Sequence, residues 1–139
     1  MNRMLTIVSL ALLVSACGKG ELDPASLTSN PFDPDYNGPE VFVYDTTFTR
    51  NVSIPGGVVQ YQIIGFHVKS ELLPSGASYS VAVEETATGI TDVINPQPPN
   101  SNLFEYPKIN PVVGAPVCLR LRLRNNQSNA RPEEICAIL

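Results

Sequence analysis

The chain has 139 residues, enough for one domain with its own core. Thirteen Pro and nine Gly, set between short apolar runs, exclude long helices. A net charge of −4 lacks the basic footprint that nucleic acid requires, which excludes that class of partner.

The N-terminus reads as a targeting segment. Met1, Asn2 and Arg3 give a short positive start, and residues 4–14 form an apolar run too short to span a bilayer. Val14, Ser15, Ala16 and Cys17 then follow in register. This quartet resembles the lipobox of bacterial lipoprotein signals: a branched apolar residue, two small residues and a cysteine. The resemblance implies cleavage before Cys17, diacylglycerol on its sulfur, and usually a third chain on its amine. Two or more acyl chains hold a protein stably on a membrane. Gly18 stands where retention at the inner membrane usually needs Asp, so the resemblance implies the outer membrane.

Residues 18–38 carry Gly, Ser, Asn, Asp and Pro without periodicity, and read as a tether. A flexible chain of about 20 residues averages roughly 25 Å from end to end. Its last stretch, Asn30-Pro31-Phe32-Asp33-Pro34, resembles the Asn-Pro-x-Asp-Pro junction ahead of immunoglobulin-like domains in bacterial lipoproteins, those of Bacteroidetes among them. The expected organisation is a signal over 1–16, a lipidated tether over 17–39 and one β domain over 40–139.

Beyond the junction, seven strand signals recur: 40–48, 58–68, 78–84, 90–94, 103–109, 117–124 and 133–139. Tyr79, Val81 and Val83 alternate with Ser80, Ala82 and Glu84, and Pro107 interrupts the fifth run. About seven short strands with turns between them predict an all-β, immunoglobulin-like antiparallel sandwich. Ile109-Asn110-Pro111, Gly114 and the alternating 119–125 run resemble the E–F corner and F strand of fibronectin type III sandwiches. The corner Tyr and early core Trp of that family are missing.

On the sixth strand Leu119, Leu121 and Leu123 share one face, and Arg120, Arg122 and Arg124 the other. The arginines read as a solvated face, or as a ladder for an acidic partner or lipid headgroup. Glu133 and Glu134 stand ready to pair with them. With Cys17 lipidated, Cys118 and Cys136 remain, and an oxidising compartment permits a disulfide between them. That pairing centres a hairpin on Gln127 and sets Arg120 opposite Glu134. Reduced thiols or metal ligation are the alternatives.

No motif of nucleophilic or metal-assisted catalysis surrounds His67, the single histidine, and Glu84 and Glu85 face opposite ways on a strand. No enzyme is expected. Asp33, Asp35, Asn37 and Gly38 spell the opening of a calcium loop. Tyr44 stands at its twelfth position, Pro34 and Pro39 stiffen it, and a polar turn is the plainer reading. Calcium at Asp33, Asp35 and Asn37 is therefore the one cofactor candidate. The expected function is a membrane-anchored interaction or structural module of an envelope assembly serving secretion, motility or a surface structure. A calcium- or glycan-binding surface domain is the alternative.

Overall fold

A computed structural model describes residues 29–97, 102–109, 111–125 and 129–139. Cys17, the signal segment and Gln127 lie outside the described residues. The strands are β1 (Phe42–Ile54), β2 (Gly57–Val68), β3 (Ser80–Glu85), β4 (Thr91–Ile94), β5 (Leu103–Ile109), β6 (Pro116–Arg124) and β7 (Glu133–Ile138). They form two antiparallel sheets, β1-β2-β5 and β4-β3-β6-β7, packed as an immunoglobulin-like sandwich. The fourth strand pairs with β3, so the sheet carrying the arginines is the wider one.

Alternation builds the core. From the first sheet Ile64, Phe66, Val68, Phe104 and Tyr106 point inward, and from the second Val81, Val83, Leu119, Leu121 and Leu123. Phe66 lies at the centre, stacked on Phe104 at 5.6 Å and edge-on to Phe42 at 6.1 Å. Pro107 has no N–H to give a ladder, yet β5 runs through it because β5 is a sheet edge.

Two boundaries differ from the sequence expectation. Phe32 and Tyr36, expected in the tether, are buried in the core, and Phe32 packs edge-on against Tyr79 at 6.4 Å. The folded body therefore starts ahead of Glu40. β1 also continues six residues past Phe48, to Ile54. There Pro55 and Gly56 turn the chain into β2, with Gly56 at φ 107°, the left-handed value that a Pro-Gly turn of type II needs at its second residue. Nearer the body, a bulge between Tyr44 and Thr46 bends β1 over Gly65, where an added Cβ would sit 3.3 Å from the Thr46 carbonyl oxygen.

The head of β1 and the start of β7 meet at one point. The Glu133 carboxylate accepts the N–H groups of Val41 at 2.8 Å and Phe42 at 3.0 Å, joining β7 to the head of β1 across the two sheets. Glu133 was expected to pair with the arginine row. The two backbone donors hold it instead, with Arg131 at 3.9 Å.

Candidate functional site

Among the described residues, the outer part of the β1–β2 hairpin is an extended exposed feature. β5 pairs with β2 only from Tyr61 to His67, so residues 51–54 and 57–60 form a two-stranded arm beyond the sandwich. Residues directly opposite in an antiparallel pair share a face. Phe48, Arg50, Val52 and Ile54 therefore lie with Ile63, Tyr61 and Val59 on one face, and Thr49, Asn51 and Ser53 with Gln62, Gln60 and Val58 on the other.

The apolar face is continuous with the outer side of the sheet, opposite to the core side that carries Ile64 and Phe66. Along β2 the apolar phase thus switches sides. Within the body the outer side is partly covered: Arg50 bridges Glu105 through two nitrogens at 2.7 and 2.9 Å and lies 5.3 Å over the Phe48 ring, and Ile63 is buried. Further out, Val52 and Ile54 are exposed. The outer edge of β1 pairs with no strand among the described residues. Backbone donors and acceptors on such an edge are a template for another strand.

The opposite sheet holds the residues singled out in sequence. Cys118 and Cys136 face each other across β6 and β7 and form a disulfide. Arg120 is opposite Glu134 as expected, but its guanidinium bonds Glu84 on the other side at 3.1 Å. Arg122 and Arg124 are exposed and pair with no carboxylate among the described residues. Arg124 and Val93 line two shallow depressions, one with Ser80 and one with Ala82, of about 320 and 370 Å³. Closing a loop across 18 residues stabilises by about 3 kcal/mol in the chain-entropy model. Converting Cys118 and Cys136 to Ser together should lower the urea unfolding free energy by that amount, and a loss under 1 kcal/mol would refute it.

Cys118, Glu134 and Cys136 bring three ligand-type atoms within 4.8 Å of one another, but both sulfurs are committed to the disulfide. At the junction, Asp33 Oδ1 accepts the Asp35 N–H at 2.8 Å, and the Asp33 carbonyl accepts the Tyr36 N–H at 3.1 Å. Asp33 thus shapes a turn that tucks Tyr36 inward, while Asp35 and Asn37 are exposed. His67 lies on the outer side of β2 between Val43 and Leu103, with no carboxylate or hydroxyl bonded to it among the described residues.

One constellation escaped the sequence reading. Glu85 is 3% exposed, and both its oxygens accept from Lys108 Nζ at 2.7 Å, with the Tyr106 hydroxyl donating at 3.3 Å. β3 and β5 belong to different sheets, so this triad clamps the sandwich together. Burial, then the negative charge of Glu85, pushes the Tyr106 phenol up to about 12. A phenol that ionises near 10 unfolded and near 12 folded contributes stability below pH 10 that is lost as pH rises through 12. Wild-type protein should therefore lose stability more steeply than Tyr106→Phe over that window. Parallel alkaline melting curves would contradict this.

No protein family, curated protein or solved structure matches the chain at a significant level.

Proposed function

We propose that this chain is a non-enzymatic, lipid-anchored module of a bacterial envelope that docks to protein through the open edge of the β1 arm. The anchor reading rests on the Val14-Ser15-Ala16-Cys17 quartet and favours the outer membrane. The arm carries the docking reading. Its edge is long, its outer face is apolar, and its tip stands roughly 40 Å along the strand from Phe42 at about 3.3 Å per residue. Strand addition at such an edge draws affinity from main-chain hydrogen bonds and selectivity from alternate side chains.

Two measurements test the two parts. Radioactive fatty acid should label the wild-type chain and not Cys17→Ser; label retained by the mutant would refute the anchor. Mild detergent extraction of native membranes should recover the chain with a protein bound. Val52→Asp with Ile54→Asp should strip that protein away while leaving the fold intact. Recovery unchanged by the pair of charges would remove the arm from the reading.

A further inference from the structure

The docking edge has features that identify its partner, and this inference rests on the reading of the arm as that edge. We propose that the strand received by β1 is the β1 of a second copy of this chain, paired antiparallel about a two-fold axis at Asn51.

The free edge has defined limits. The bulge between Tyr44 and Thr46 ends its regular part on the body side, and the Pro55-Gly56 turn ends it at the tip. Residues 46–54 lie between, with no Pro, no Lys and no acidic side chain. Natural sheet edges are ordinarily guarded by such residues, by bulges or by shortness. The other edges of this fold are guarded. β4 has four residues, β5 carries Pro107, and β7 opens with the acidic pair Glu133 and Glu134, the first of them bound to the N–H groups of Val41 and Phe42. The β2 side of the arm offers only residues 57–60, beginning at the turn. Among the described residues, β1 alone presents a long and unguarded edge.

Its register follows from faces and charge. Two antiparallel copies related by an axis normal to the sheet keep their outer faces on one side. Apolar positions 48, 52 and 54 must then meet outer-face positions of the other copy, which places the axis on a residue. An axis at Arg50 sets two guanidiniums directly opposite each other, a destabilising pair. At Thr49 the axis puts Phe48 against Arg50 and Val52 against Thr46.

With the axis at Asn51, Phe48 faces Ile54 of the partner subunit and Thr49 faces Ser53 of the partner subunit. Arg50 then faces Val52 of the partner subunit, and Asn51 meets Asn51 of the partner subunit. Large apolar meets large apolar at the ends, small hydroxyl meets small hydroxyl, and amide meets amide at the centre. The one charge, on Arg50, keeps its Glu105 bridge and opposes no like charge.

Seven residues per copy pair, an ordinary strand length. The product is one six-stranded sheet, β5-β2-β1 continued by the same order reversed. Because each copy contributes the same edge, the contact consumes both edges and the assembly closes as a dimer.

Cross-linking of the full-length chain in native membranes tests this. Asn51→Cys should oxidise to a covalent homodimer, seen as a doubled mass without reductant. Gln60→Cys, on the other edge of the arm, should give little or none. Asn51→Lys places two ammoniums across the axis and should abolish dimers captured between two differently tagged copies, in step with low salt. Both substitutions are at exposed positions. An Asn51→Cys adduct with a different polypeptide would overturn self-pairing and leave the arm as a docking edge. Equal homodimer from Asn51→Cys and Gln60→Cys would mark random encounter and overturn it. If Asn51→Cys gives no adduct and the co-purified protein also survives Asn51→Lys, both self-pairing and the arm reading fall.

Discussion

Phe66→Ala should lower the unfolding free energy by about 4 kcal/mol, within the range for Phe-to-Ala changes in well-packed cores. Phe66 has no exposed surface and touches two other rings, Phe42 from the first sheet's other strand and Phe104 from β5. Truncation removes its transfer energy and leaves a hole that two ordered β-strands cannot close. Phe66→Leu, which keeps most of the volume, should cost roughly 1.5 kcal/mol. Val58→Ala is the contrasting control, because Val58 is 66% exposed on the arm and should change stability by no more than about 0.5 kcal/mol. Urea unfolding of the three variants decides the point. A Phe66→Ala loss near that of Val58→Ala would show that the core is not closed around Phe66.

The second large effect concerns the clamp between the sheets. Lys108→Met should destabilise by about 3–5 kcal/mol, because it strands the Glu85 carboxylate in the interior. Only the Tyr106 hydroxyl, at 3.3 Å, would remain to it. Combining Lys108→Met with Glu85→Leu should recover most of that loss, since paired apolar side chains of similar volume often replace a buried ion pair without net cost. The double-mutant cycle therefore has a characteristic shape, with a severe single change and a mild double. A double variant as unstable as the sum of its parts would show no coupling between the two side chains and would refute the clamp.

Much of this architecture was legible in the residues. The strand β5 was legible over 103–109 although Pro107 interrupts the run, because apolar and aromatic positions flank the proline; its place at a sheet edge was not. The Cys118–Cys136 register was legible because a symmetric polar loop and an opposed Arg120 and Glu134 agreed on one pairing. The Arg120 ion pair was not: it goes to Glu84 on β3, a strand some 36 residues earlier in the chain.

Three further features lay beyond local pattern. Phe32 and Tyr36 stand singly among Pro, Asp and Asn, so no periodicity marks them as core, and only contact with Tyr79 and Arg131 reveals it. Residues 49–54 alternate with period two, but that stretch is polar enough to pass for a loop. It becomes a strand by pairing with β2. Glu85 and Lys108 are 23 residues apart on different sheets, a separation at which sequence carries no signal for an ion pair.

The head of β1 receives the segment that leads back toward Cys17, and the same strand, twelve residues on, is the arm's free edge. Tension between a membrane anchor and a protein held at that edge would run along one continuous backbone. Covalent bonds would bear it, while the disulfide and the Glu85 clamp stayed off the load path. The sandwich would then work as a fixture that grips one strand, and pulling on the complex would test the packing of Phe32 and Tyr36 and the grip of the edge before it tested the disulfide-bearing sheet.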